Sequence, residues 1–123
     1  LQQQRVLLWL AICKRYAFIR EFAIDVLHDR FLTMAPALTI DDYERFYRRK
    51  ADWHEELEAL SDSTRHKLRT NLFRMMREAG LLNSNHEIIP VILDEKLRDA
   101  LAPDAPLCYE ILPMHSPCQE AHP

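Results

Sequence analysis

Glycine is almost missing from this chain, with one residue, Gly80, in 123. A phosphate-cradling loop built on repeated glycines is thereby excluded. Long apolar runs are missing too. The longest, Val6 to Cys13, falls well short of the roughly 18 residues a spanning helix needs, and Lys14, Arg15 and Arg20 follow it at once. No small-residue cleavage site follows it, so it is not a signal peptide. The cysteines are few and unpatterned: Cys13, Cys108 and Cys118 are an odd number with no close spacing. That argues against a disulfide scaffold and for a reduced, cytoplasmic protein. Positive charge is also lacking overall, at −3 for the whole chain. Any attraction to nucleic acid must therefore rest on a local patch.

Catalytic patterns are absent as well. His54-Glu55 opens like a zinc-protease motif, but Glu58 stands where the second histidine belongs. No serine or cysteine sits in a nucleophile motif. Cys108, His115, Cys118 and His122 are metal-capable, yet their spacing fits no zinc signature. The expectation is a protein without enzymatic activity, metal or other cofactor.

What is present is helix-forming material. Leu, Ala, Arg and Glu abound, β-branched residues are few, and a mainly α-helical bundle follows. Leu1 to Ala35 holds no proline or glycine and carries two helical patterns: Val6, Leu7, Leu10, Cys13 and Ala17, then Phe18 through Phe31. A break is expected between Lys14 and Ala17. Thr39 is a good N-cap, with Asp41 and Asp42 in the first turn. That helix continues through Tyr43, Phe46 and Tyr47 towards Trp53. Core positions are expected at Trp9, Phe22, Leu27, Phe31, Phe46, Trp53, Leu68 and Leu72, with Tyr47 left open as core or stacking surface.

The segment from Ser61 to Pro90 is the most informative. Ser61, Asp62 and Ser63 offer helix caps, and the helix runs unbroken to Ala79 before Gly80 closes it. Leu68, Leu72, Met75, Met76 and Ala79 fall on one side of the helical wheel. His66, Lys67, Thr70, Arg74 and Arg77 fall on the other, with Arg65 and Arg69 on the flank. A polar turn, Asn83 to Asn85, and a short extended piece, Glu87 to Ile89, follow. Helix, glycine, polar turn and extended piece outline a helix-turn-helix-like unit with a rudimentary wing.

Beyond Pro90 the pattern predicts a short helix over Asp94 to Leu101. Residues 1–102 read as one helical domain and residues 103–123 as a proline-rich tail, loose from Pro113. Within the tail, Leu107 to Leu112 is a candidate short strand pairing with Glu87 to Ile89.

Two long stretches resemble the BrxA family of the bacteriophage exclusion (BREX) defence systems: LWLAICKRYAFIREFAIDVLHDRF (Leu8 to Phe31) and DYERFYRRKADWHEELEALSDSTRHKLRTNLFRMMREAGLL (Asp42 to Leu82). The likeness covers roughly Leu1 to Leu101. It implies a helical protein that works beside a DNA methyltransferase, an ATPase and other components of the system, and for which DNA binding has been proposed. It also implies further helices upstream, in keeping with the absent start methionine, so that several apolar side chains among Leu1 to Leu10 are expected to be exposed or to meet another chain. The inner-membrane label given to some members finds no support in the short apolar runs. The family supplies no catalytic residues.

The reading is a BREX component that binds double-stranded DNA, with Arg65, Lys67, Arg69, Arg74 and Arg77 meeting phosphates and Arg48, Arg49 and Lys50 extending the footprint. The alternative is a protein-interaction module that offers the same basic face to an acidic partner. A sequence-specific operator binder would in addition need base-reading groups, such as Asn71, directed into a groove.

Overall fold

The computed structural model describes residues 2–114, and these are mainly helical. Helix α1 (Gln2–Arg15) ends at Tyr16, whose extended backbone (φ −114°, ψ 107°) is the break expected between Lys14 and Ala17. The guanidinium of Arg20 reaches back to the Cys13 and Lys14 carbonyls at 3.4 and 3.5 Å. These are among the acceptors that a helix end leaves without partners. From there α2 (Ala17–Phe22), a π-helical stretch (Ala23–His28) and α3 (Asp29–Leu32) form one continuous rod. The rod ends at Met34, which takes a positive φ of 63° while the Ala35 amide donates to the Arg30 carbonyl.

Helix α4 (Ile40–Ala51) starts with a reciprocal cap. The Asp42 amide donates to the Thr39 hydroxyl, and the Thr39 amide donates to the Asp42 carboxylate. A single turn, α5 (Glu55–Glu58), leads to α6 (Asp62–Glu78). After α6 the chain returns in extended form. The Asn83 amide donates to the Glu87 carbonyl and the Ile89 amide to the Leu81 carbonyl. On its other side the same segment meets Pro36 to Leu38: Leu38 donates to the His86 carbonyl and Ile88 to the Pro36 carbonyl. Residues 86–88 thus lie between two extended neighbours, joined by isolated bridges (Ala37 with Glu87, Leu82 with Ile88) rather than by a sheet.

The expected strand over Leu107 to Leu112 is a helical turn instead, α8 (Leu107–Glu110), following α7 (Glu95–Leu101) and a 3-10 turn (Ala102–Asp104). The apolar residues there, Leu107, Cys108, Ile111 and Leu112, recur at helical rather than alternating spacing. The partner of Glu87 to Ile89 is the Pro36 to Leu38 segment, not this one. Pro113 and Met114 are buried together with Ile111 and Leu112, and the rest of the stretch expected to be loose, residues 115–123, lies outside the described residues. The Trp9 indole donates to the Ile111 carbonyl at 2.9 Å, His28 Nδ1–H donates to the Leu112 carbonyl at 2.6 Å, and the Val91 amide donates to Pro113. His115, Cys118 and His122 lie outside the described residues.

The core centres on the aromatic residues Phe18, Phe22, Tyr43, Phe46, Tyr47 and Phe73, which meet mostly edge to face. Trp9, Phe22, Leu27, Phe46 and Leu72 are buried as expected, and Phe31 and Leu68 only partly so. Trp53 is the clear miss: it is 86% exposed. Helix α4 stops at Ala51, so the stripe of Phe46 no longer governs the orientation of Trp53 two residues into the turn. Tyr47 belongs to the core, and its hydroxyl donates to the Leu57 carbonyl. On α1, Leu7 and Leu8 are exposed while Val6, Trp9 and Leu10 are buried, an uncovered edge where one was expected. Burial pushes the Cys13 thiol up to about 12. Among the described residues no helix is long and apolar enough to cross a membrane.

Candidate nucleic-acid interface

Local chemistry sets both ends of α6. The Ser61 hydroxyl accepts from the Thr64 amide at 3.2 Å. At the other end Gly80 has φ +79°, its amide donates to Arg77, and the Leu81 amide donates to Met76. This double closure satisfies two of the helix's last carbonyls and needs a left-handed residue between them. Leu72, Phe73, Met76 and Ala79 are buried, with Leu68 and Met75 at the margin. Phe73, which the wheel left off the apolar side, is held in the core against Tyr43.

The eight expected phosphate-binding cations do not share one environment. Arg69 is ion-paired with Glu44 of α4 at 3.1 Å and also touches His66. Arg65 stacks over the Tyr47 ring, 4.6 Å from its centroid, with Asp62 at 3.8 Å. Arg77 is half-buried and donates to His86 Nε2 at 3.2 Å. Lys50 is committed to Glu21 and Asp25 of the rod, at 3.2 and 3.7 Å. Arg48 and Arg49 are exposed and also form no ion pair among the described residues, but they line a cleft of about 460 Å³ that also holds Asp25, Asp29 and Asp42. Arg48 shares a second cleft with Arg65, Asp52 and Glu58.

Lys67 and Arg74 are different. Both are exposed, neither meets a carboxylate among the described residues, and Arg74 touches only the Asn71 amide oxygen, at 3.0 Å. They stand two turns apart on one face, roughly 10 Å along the axis. Thr70 and Asn71, also exposed, lie between them. The open cationic strip is therefore narrower than the wheel implied. It consists of Lys67, Thr70, Asn71 and Arg74, with the partly buried Arg77 at its end.

His86 was not singled out in the sequence, where it reads as one more polar residue of a turn. Its backbone has φ 62°, and its ring packs on Phe73 with centroids 4.8 Å apart. Burial, reinforced by the Arg77 guanidinium, holds its pKa below the ordinary histidine value. The missed signal is weak: only the αL tolerance of Asn, Asp and His marks the segment at all.

Among curated proteins no match was found. The family model of BrxA matches residues 1–104, from α1 to the end of the 3-10 turn, including the whole of α6 and the extended pair beside it. The match spans most of the chain, and on that ground the protein belongs to the BrxA family.

Proposed function

We propose that this BrxA-family chain is a non-enzymatic, cytoplasmic component of a BREX phage-defence system and binds double-stranded DNA through the exposed face of α6. The observation that carries this is the pair Lys67 and Arg74, two exposed cations without carboxylate partners among the described residues, in a chain of net charge −3. Cations already neutralised by Glu44 or Glu21 have little to offer a phosphate. Unpaired ones release the counterions that phosphates otherwise hold, which supplies sequence-independent affinity.

The order of elements supports the same reading. Rod, extended Pro36 to Leu38, α4, the single turn α5, α6 and the paired extended residues 81–83 and 87–89 come in an order compatible with a helix-turn-helix-like unit with a small wing. A helix of ordinary diameter fits a major groove roughly 12 Å wide. In that placement Lys67 and Arg74 meet the backbone, and Thr70 and Asn71 supply hydrogen bonds. Methyltransferase or ATPase components of the system are the protein partners the family implies.

Fluorescence anisotropy with labelled duplexes of unrelated sequence tests the proposal. Wild-type protein should bind them with similar affinity, and the Lys67→Ala/Arg74→Ala variant should bind all of them more weakly while keeping its helical circular dichroism. Unchanged affinity in the folded variant would refute the assignment to this strip and favour an acidic protein as the partner of the basic face.

A further inference from the structure

Beside the strip, α6 and the turn 83–87 enclose a cleft of about 140 Å³ lined by Ile40, Arg69, Thr70, Phe73, Arg77 and His86. Three of the six are nitrogen bases, one is a hydroxyl, and none is an acid. The imidazole is also held in place. The His86 amide donates to the Asn83 carbonyl, its carbonyl accepts from Leu38, and the Asn83 side chain accepts from the Asn85 and Glu87 amides. A positive φ at a non-glycine residue, fixed from both sides, is the kind of strain that recurs where a side chain must be aimed.

Arg77 cannot accept a hydrogen bond, so the 3.2 Å contact requires His86 Nε2 to be the unprotonated acceptor. Two nitrogen groups therefore meet in the wall of the cleft, and burial, reinforced by Arg77, favours the neutral imidazole. An oxyanion in the cleft would replace that contact, accepting from Arg77 and, once His86 gains a proton, from Nε2–H as well. We propose that this cleft is a phosphate seat, taking one phosphodiester of the duplex backbone against Arg77 and His86 in place of their mutual contact, and that filling it is coupled to protonation of His86. The proposal rests on the DNA-binding reading of α6 and adds to it a specific site and a pH dependence.

The sign follows from the surroundings. Without an anion, burial and Arg77 favour the neutral ring. With an anion the imidazolium gains a partner, so the bound state has the higher pKa. Affinity must then rise as pH falls through the bound-state value towards the free-state value. The other charged groups around the cleft are occupied: Glu44 with Arg69, Asp41 with Arg45, Asp42 with Arg30, and Glu87 with the Asn83 amide. No carboxylate lining the cleft competes for the imidazolium.

The test measures duplex affinity of the whole chain at about pH 7.5 and about pH 5.5, for wild type, His86→Asn and His66→Asn. Asparagine tolerates the left-handed backbone of position 86 and does not titrate. Wild type and His66→Asn should bind at least about fivefold more tightly at the lower pH, while His86→Asn should lose that gain. A second arm follows the His86 ring by NMR pH titration, in chloride, in inorganic phosphate and with duplex. Duplex and phosphate should each raise its pKa. A pH gain that survives in His86→Asn, or a ring pKa that duplex leaves unmoved, overturns the proposal. A shift with inorganic phosphate alone would reassign the cleft to a small free anion and overturn the duplex part. If wild type binds no duplex at either pH, the DNA reading fails by itself, and the phosphate titration still decides whether the cleft holds an oxyanion.

Discussion

Asp42 ties the rod to α4, and removing it should cost more than any surface change. Its side chain is 6% exposed. It accepts from the Thr39 amide at 2.9 Å and from Arg30 at 2.7 Å, with Arg45 at 3.5 Å. A hydrogen bond to a charged acceptor contributes about 1.5–3 kcal/mol. Breaking a fully buried ion pair costs about 3–5 kcal/mol because the surviving charge is stranded. Arg30 is 37% exposed and regains water, so that larger figure does not apply. Asp42→Ala should therefore destabilise by about 3 kcal/mol. Asp42→Asn keeps an acceptor for the Thr39 amide and should lose about 1–2 kcal/mol. Urea denaturation followed by circular dichroism gives the numbers, with the m-value unchanged if the denatured state is unaffected. Combined with Arg30→Gln, the Asp42→Asn loss should be sub-additive, with a coupling of about 1 kcal/mol. Full additivity, or an Asp42→Ala variant within about 0.5 kcal/mol of wild type, would refute the role given to this contact.

Among the described residues the buried hydroxyl of Tyr43 has no hydrogen-bond partner, so Tyr43→Phe should be neutral or stabilising by up to about 1 kcal/mol in the same urea assay, and a clear loss would reveal a partner. Gly80→Ala should cost about 1 kcal/mol through its backbone alone, since a Cβ there meets nothing within 4 Å. Met34 takes a similar left-handed conformation while 89% exposed, so Met34→Gly should be neutral or slightly stabilising, and a loss of about 1 kcal/mol or more would contradict the parallel between the two helix ends. Phe22→Ala should cost about 3–5 kcal/mol, whereas Trp53→Ala should stay within about 0.5 kcal/mol, and comparable losses at the two sites would mean that the exposed position of Trp53 is not the one occupied in solution.

What was legible in the sequence was local. Thr39, Ser61 and Gly80 mark helix ends through contacts two to five residues away, and all three do so in the structure. The break at Tyr16 was legible because two apolar stripes change register there. What was not legible depended on partners far along the chain. Nothing near Pro36 signals that it will accept from Ile88, so the extended piece at Glu87 was assigned the wrong neighbour. Helical spacing at Leu107 to Leu112 was hidden by the shortness of the run, where periods of 2 and 3.6 are hard to separate. For the site, the cationic face of α6 was visible. The pairing of Arg69 with Glu44 and of Lys50 with Glu21 was not, because the acids sit 25 and 29 residues away on other helices.

The central claim is that unpaired cations on α6, not the chain's basic residues in general, hold DNA. The most direct measurement is the salt dependence of duplex affinity for wild type, Lys67→Ala/Arg74→Ala, and an ion-paired control, Lys50→Ala. Each phosphate contact contributes about 0.9 to the slope of log K against log salt. The double variant should flatten that slope by about 2, and Lys50→Ala should leave it unchanged. Equal slopes for wild type and the double variant, or a slope lowered as much by Lys50→Ala, would contradict it.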